Sequence, residues 1–434
     1  MNKGLSIVIL AGGIGKRFYP FVTDKSMFPF LDEPIIMTNI RKFVRAGFTR
    51  FVIVTNDTND KAIRSLRLPE AMIETVVQKN PGGMADAVMS ASPHVLGGPM
   101  LVVNAEDVVD ESLYTSLASR IRKKQPFVVG RVVHDYFDLG YLVLASDRLV
   151  NIVEKPGRGN EPSNLVNLVF HYFPYADNFI DYIKRAKTTR DDLYEQALNL
   201  FTKAFPVSVI SYDGVWSPLK YPWHTLDMMR AMLATLKPGK GTHVDIRNNV
   251  ILEGPVRIGN NVKVFENTKI VGPTYIGDNT IIGSNNIIRE SMIGQHCVTG
   301  FNTDIARSYI GDNCWFHSNY IGDSVLEGNV GVGAGTVLAN FRLDEGEIQS
   351  SIVGDRVNTN RNKLGAMIAR DVRIGVNTSI MPGVKIGTNS LIGAGLVIDQ
   401  DVPEHSFCMG KQPFEIKKNT RKVTSQRAAY KAKL

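Results

Sequence analysis

The sequence predicts two bodies of different class in one chain: an α/β, Rossmann-like domain followed by a left-handed parallel β-helix. Three observations carry this. Apolar runs alternate with helical patterns up to about residue 235, a glycine-rich loop follows the first such run directly, and from Ile258 an aliphatic residue recurs at every sixth position. At 434 residues the chain also exceeds the length over which one core keeps growing.

The first body starts with Leu5 to Leu10, an apolar run that reads as a buried strand and opens into Gly12, Gly13 and Gly15, then Lys16, Arg17 and, after a loop, Lys25. Glycines allow a sharp turn that brings backbone N–H groups against an anion, and the cations add charge, so the stretch suits polyphosphate. Taken alone it fits a plain strand-to-helix turn equally well. Ile35 to Ala46 has helical spacing at Ile36, Ile40, Phe43 and Val44, and Ala85 to Ala91 reads as a second helix. Phe51–Thr55, Ile73–Val77 and Met100–Asn104 read as strands. Strand–helix alternation implies a parallel sheet covered on both faces, with ligands at the carboxyl ends of its strands.

LKPGKGTH, from Leu236, has linker composition. The expected division is a first domain over 1–235, a linker over 236–245, a β-helix over 246–415 and a tail over 416–434. In the β-helix, Ile258, Val264, Ile270, Ile276, Ile282 and Ile288 keep a period of six, and Ile368, Ile374, Ile380, Ile386, Ile392 and Ile398 repeat it. Neither helix nor alternating strand has that period; triangular coils of about three hexapeptides do. Asp304 to Asn319 and Asn340 to Lys363 break it and are expected to protrude as loops.

Composition narrows the class. With 44% hydrophobic and 21% charged residues the chain reads as globular, and no apolar run approaches the roughly 20 residues of a membrane span. The start, with Lys3 and no small-residue cleavage site, predicts no secretory signal and a cytoplasmic protein. Cys297, Cys314 and Cys408 are an odd, unpatterned set, which suits a reducing compartment and neither disulfides nor zinc. Of the net charge of +8, all but one unit falls after residue 415, on Lys417, Lys418, Arg421, Lys422, Arg427, Lys431 and Lys433. With only Tyr430 to stack on a base, this tail reads as solvated, and no nucleic acid partner is expected.

Longer stretches then carry a resemblance. LAGGIGKRFYPFVTDKSMFPFLDEPII, QKNPGGMADAV, NAEDVVD, DLGYLV, VEKP and SNLVNLVF, together with the hexapeptides, resemble bifunctional sugar-1-phosphate nucleotidylyltransferases fused to an acetyltransferase, particularly archaeal-type enzymes acting on amino-sugar 1-phosphates. The resemblance covers nearly the whole chain apart from the tail. It implies two reactions: acetylation of an amino-sugar 1-phosphate by acetyl-CoA, and attack of a sugar-1-phosphate oxygen on the α-phosphorus of UTP or dTTP with loss of pyrophosphate. The second reaction needs positioning and charge neutralisation but no covalent nucleophile.

For the transfer site the resemblance implies Arg17 and Lys25 as catalytic groups and Leu10, Ala11, Gly12, Gly13, Gly15, Gln78 and Gly83 around the nucleotide. Asp107, or Glu106 in its place, would anchor Mg²⁺. Gly140, Glu154, Lys155 and Asn167 would hold the sugar phosphate. An amide at Gln78 can both donate to and accept from the edge of uracil or thymine, which ranks UTP and dTTP above GTP. For acetyl transfer it implies His317 as base, since imidazole has a pKa of about 6.5. Arg289, Tyr320, Ala334, Asn340, Lys363 and Ala394 would surround it, in a homotrimer. The sequence departs from the pattern at Pro218, where a metal-binding Asp is expected, at Val169 and Gly331, where Gly and Asn are expected, and at Ala306, where a Lys is expected beside Arg307. Two further readings therefore stand beside the first: only the acetyltransferase half works, or the chain is a non-catalytic nucleotide-binding assembly protein.

Overall fold

The computed structural model describes residues 4–410, 416–420, 427, 431 and 432. Arg421, Lys422, Tyr430 and Lys433 of the basic tail, and Lys3, lie outside the described residues. Among the described residues no helix is long and apolar enough to cross a membrane.

The strand Ser6–Leu10 is buried at every position and lies parallel between Arg50–Thr55 and Met100–Asn104, with Met72–Val77 at the edge. This is the expected α/β core, and helices Ile35–Arg45 and Gly83–Val95 fall where the spacing placed them. The sheet does not stay parallel. Leu165–Phe173 runs antiparallel to both Met100–Asn104 and Phe127–Val132, and the nine-stranded sheet ends on the antiparallel pair Gly140–Ala145 and Arg148–Glu154. The reason is the connection: Gly140–Ala145 and Arg148–Glu154 are joined by a turn too short for a crossover, which only antiparallel strands tolerate.

The second body is a left-handed parallel β-helix with three flat faces. Residues expected as linker already belong to it: Gly239–Lys240 pairs with Val256–Ile258, and Asp245–Ile246 with Lys263–Val264. The periodic aliphatics stack inward, Ile270 on Ile288 and Ile288 on Ile305, as an uninterrupted buried column. Asp304 to Asn319 does not protrude. Ile305 continues onto Ile321, so the chain absorbs the broken period by shortening successive coils while keeping Ile305, Ile310 and Phe316 turned inward. The second break does protrude: Val325 pairs with Met367, and the intervening chain forms the hairpin Gln349–Ile352 with Asp355–Asn358. Cys297 and Cys314 lie buried in the stack as free thiols, close enough for Cys314 to help burial push the Cys297 thiol up.

One face of the β-helix, carrying Tyr275, Met292, Tyr309, Val325 and Met367, packs against Phe18, Phe21, Phe28 and Phe30 of the first body and Leu226 to Leu233 of its last helix, His224–Leu233. Phe28 and Phe30 lie 5.3 and 5.5 Å from the Tyr309 ring, whose hydroxyl donates to the Pro29 carbonyl at 2.7 Å. Glu327, 6% exposed, accepts from the backbone N–H groups of Val22, Thr23 and Arg370 at 3.1, 2.7 and 3.0 Å. The segment that contains Lys25 is thus seated on the β-helix.

Candidate active sites in the glycine-loop pocket and on the β-helix

The glycine loop leaves the central strand at its carboxyl end and is tied by two amides the sequence did not single out. Asn59 donates to the Ala11 carbonyl at 2.8 Å and Asn56 to that of Gly13 at 3.2 Å. Gly15 takes φ 69°, which an L side chain rarely adopts, to start the short turn Lys16–Phe18. A Cβ on Gly12 would lie 2.3 Å from Gln78 Oε1. The loop walls a cavity of about 410 Å³ lined by Leu10, Gly12, Lys25, Gln78, Gly83 and Glu106, with Ala11, Gly13 and Gly15 also on it.

Gln78 is more constrained than its residue type suggests. Its Nε2 donates to Asp86 Oδ2 at 2.7 Å and to the Gly83 carbonyl at 3.1 Å. Both partners only accept, so both amide hydrogens are used and Oε1 alone is left to face a base. The expectation that the amide reads a base in both directions is corrected: it can accept from a ring N–H and cannot donate.

Lys25 Nζ meets Glu106 Oε1 at 2.6 Å. Burial opposes the ammonium charge, but the Glu106 carboxylate outweighs it and holds the pKa above the usual lysine range. Asp107, expected at the metal, is not on the cavity wall. It is buried, accepts from Asn104 Nδ2 at 3.3 Å, and is pushed up to about 6 by desolvation and then by Glu106. Strand alternation explains the correction: Asp107 opens the short strand Asp107–Val109 and turns inward, so the preceding Glu106 faces the ligand. Directly opposite Asp107 stands Pro218, in the antiparallel partner Trp216–Pro218. Mg²⁺ therefore finds Glu106 already ion-paired, Asp24 accepting from the Ser26 N–H and hydroxyl, Asp191 beside Gly83, and no side-chain oxygen at 218 opposite Asp107. That donor set does not fit a two-carboxylate metal site.

Arg17 does not line the cavity; its guanidinium reaches Asp138 at 3.5 Å. The same Asp138 Oδ2 takes Lys220 at 2.9 Å, and Lys220 also donates to the Asp138 carbonyl at 2.6 Å under the rings of Phe137 and Tyr221. Burial lowers the Lys220 pKa to about 8. Asp138 sits in DLGYLV and Lys220 just after Pro218, and neither was singled out from sequence. Gly140 pairs with Glu154, and a Cβ there would stand 3.1 Å from Glu154 Oε2. Glu154 is ion-paired with Lys155 at 3.0 Å. Asn167 lies deeper, 6% exposed, with Oδ1 2.8 Å from His171 Nε2. Burial pushes His171 down to about 3, so the ring is neutral, and its Nδ1 pairs with the Tyr194 hydroxyl. Val169 packs into the core against the helices and is absent from the cavity wall, so it does not crowd a ligand there.

On the β-helix, Tyr320 and Asn340 come together over Gly322. A Cβ at Gly322 would lie 2.6 Å from Asn340 Nδ2 and 2.7 Å from the Tyr320 hydroxyl. Asn340 donates to Asp323 at 2.5 Å, and Arg307 binds the same buried carboxylate through two contacts of 2.8 Å. Arg230, from the first body, approaches it at 3.8 Å. His317 is exposed just before this group, with its backbone N–H held by Asn319 Oδ1 at 2.6 Å. Arg289 is clamped to Asp304 by two contacts of 2.8 Å. Ala306, fully buried, pairs with both Arg289 and Gly322, so the cation missing at 306 is offered one residue later by Arg307. Ala334 and Ala394 are exposed at one corner on nearby coils, and Lys363 lies 5.9 Å from the Phe341 ring. At Gly331 the space an Asn would take is filled by Arg373, whose Cδ would stand 2.9 Å from a Cβ there.

Comparison with known proteins agrees with this layout. The Nucleotidyl transferase family matches residues 6–217, and the Bacterial transferase hexapeptide (six repeats) family matches 255–290 and 365–400. A bifunctional sugar-1-phosphate nucleotidylyltransferase/acetyltransferase of Sulfurisphaera tokodaii is 31% identical over 410 residues, 92% of this chain and 98% of that protein. The bifunctional protein GlmU of Methanococcus vannielii is 30% identical over 95% of this chain and 100% of its own length. A solved putative glucose-1-phosphate thymidylyltransferase from Bacillus anthracis covers 54% of this chain and 97% of its own, at 20% identity and a TM-score of 0.48.

Proposed function

We propose that this chain, which belongs to the family of bifunctional sugar-1-phosphate nucleotidylyltransferase/acetyltransferases, acetylates an amino-sugar 1-phosphate on its β-helix and joins a sugar 1-phosphate to a nucleoside triphosphate at its glycine loop. The observation that carries the reading is that one chain holds both the Lys25–Glu106–Gln78 pocket and the Tyr320–Asn340 pair, with His317 exposed three residues before Tyr320. In the first reaction the His317 imidazole takes the proton of the attacking amine, acetyl-CoA gives up its acetyl group, and the thiol leaves; Ala334 and Ala394 leave the corner clear for the long arm of the donor. In the second, Lys25, Arg17 and the loop N–H groups spread the charge of the α-phosphorus as pyrophosphate departs. Lys155 holds the sugar phosphate, and Glu154 and Asn167 read hydroxyls.

With only Oε1 of Gln78 presented, the base must offer a ring N–H, which suits UTP and dTTP. Enzymes of the family use a divalent metal and acetyl-CoA. Since the expected Mg²⁺ site is not assembled, no step of this reading runs through it. Exposed Trp315, Phe407, Ile251 and Val397, on the two faces of the β-helix left bare by the first body, support the homotrimer.

Purified protein is incubated with acetyl-CoA and amino-sugar 1-phosphates, and separately with nucleotides and sugar 1-phosphates. Thiol and pyrophosphate release together support the reading. Thiol without pyrophosphate selects the narrower one, which Pro218 favours, in which only the acetyltransferase half turns over. Neither product refutes both and leaves a non-catalytic assembly protein.

A further inference from the structure

The two places where a metal ion would look for carboxylates face each other in this fold, and neither supplies an available one. Pro218 stands opposite Asp107 and has no side-chain oxygen. Asp107 is buried off the cavity wall. Glu106 reaches the cavity, but Lys25 sits on its Oε1 at 2.6 Å, so a metal ion entering there has to displace an ammonium group already at contact distance. Among the described residues no three His, Cys, Asp or Glu side chains form a group able to hold a metal ion.

Positive charge is nevertheless dense at the cavity, where Lys16 and Lys25 stand on the wall, and beyond it, where Arg17, Lys155 and Lys220 gather on Asp138 and Glu154. Lys220 follows Pro218 by two residues, and it leans with Arg17 on the same Oδ2 of Asp138, at 2.9 and 3.5 Å. Lys155 is next to Glu154 at 3.0 Å. Four cations thus meet three carboxylates, Glu106, Asp138 and Glu154, before any phosphate arrives. A phosphate oxygen that enters can take over each ammonium from its carboxylate with little rearrangement, because the side chains are already gathered.

We propose that nucleotide binding in this chain needs no divalent cation: Lys25 on Glu106, with Arg17, Lys155 and Lys220 around Asp138, carries the charge that a metal ion carries elsewhere in the family. The proposal rests on the nucleotide-pocket reading given above. The competing outcome is a metal ion held by Glu106 and the substrate phosphates alone, an arrangement that Mg²⁺ tolerates.

The full chain is titrated with UTP by calorimetry in excess EDTA and in excess Mg²⁺ at matched ionic strength. The expected dissociation constants agree within about threefold, and weakening by about tenfold or more in EDTA overturns the proposal while leaving the pocket reading intact. Binding in neither medium overturns both. Water-proton relaxation of Mn²⁺ with UTP gives a second readout: added protein is expected to give no enhancement beyond the Mn²⁺–UTP complex, and an enhancement places the metal ion on a protein ligand and overturns the proposal. Pro218→Asp is expected to add the enhancement that the parent lacks. Lys220→Met is expected to weaken UTP about tenfold in both media with unchanged melting, and Lys220→Arg to restore it; full affinity in Lys220→Met removes Lys220 from the assignment.

Discussion

Glu327→Ala tests whether the glycine-loop site depends on its seat on the β-helix. The buried carboxylate accepts three backbone N–H groups, from Val22 and Thr23 in the segment before Lys25 and from Arg370 on the β-helix. Hydrogen bonds to a charged group contribute about 1.5–3 kcal/mol each, and water entering the gap recovers part of that, so a net loss of about 3–5 kcal/mol is expected. The loss falls on the docked state. The aromatic packing of Phe28 and Phe30 on Tyr309 stays, so the chain still folds, with a lower melting temperature. Lys25 lies two residues beyond Thr23, and its looser placement should weaken UTP about tenfold in calorimetry, while acetyl transfer is kept, since the hydrogen bonds of Glu327 go to Val22, Thr23 and Arg370 and those of Asn340 to Tyr320 and Asp323. Glu327→Gln, which retains an acceptor, should fall between. A Glu327→Ala protein with parental melting and parental UTP affinity would refute the reasoning, since three unsatisfied donors cannot be silent at a buried position.

Three further outcomes follow from local geometry. Gly322→Ala puts a methyl group within 2.7 Å of both the Tyr320 hydroxyl and Asn340 Nδ2, and acetyl transfer measured by thiol release should fall at least about a hundredfold while UTP binding is unchanged. Asp86→Ala frees one amide hydrogen of Gln78 and lets the group turn, so the preference for UTP over CTP in competition binding should shrink by about tenfold. Glu195, buried beside Glu154, is pushed up to about 8 by desolvation. The folded state therefore keeps a proton that the unfolded chain releases from about pH 4.5 upward, and the stability gained this way is lost as pH rises through about 8. Melting followed from pH 5 to 8 should fall, and Glu195→Gln should flatten that slope by on the order of 2 kcal/mol.

Periodic features were legible in the sequence because they repeat one physical requirement. The six-residue spacing from Ile258 to Ile288 and the buried run of the first strand each state a burial rule many times over, and the fold obeys them. Single-residue decisions were not legible in the same way. Whether Glu106 or Asp107 faces the cavity depends on where a three-residue strand begins, which the apolar pattern of NAEDVVD leaves open. Gln78 is a base reader by type, yet its donors are spent on Asp86, a partner eight positions on that only the fold brings near. Lys220 and Asp138 meet across 82 positions, and nothing local marks either. Asp304 to Asn319 misled for the opposite reason: a spacing can break while the inward column of Ile288, Ile305 and Ile321 survives.

The aromatic seam between the two bodies also governs architecture at the next scale. A three-sided prism with one side occupied by its own chain has two sides left for other copies, and those two meet along a single edge. In the proposed homotrimer, copies joined through them would close around a common axle with the sheathed sides turned outward, and each nucleotide-handling body would project from the axle like the blade of a turbine. Such a particle would expose far more perimeter than a sphere of equal mass and would keep the two reaction centres of each chain at different radii. An acetylated sugar released near the axle would then be shared among all blades through the surrounding solution.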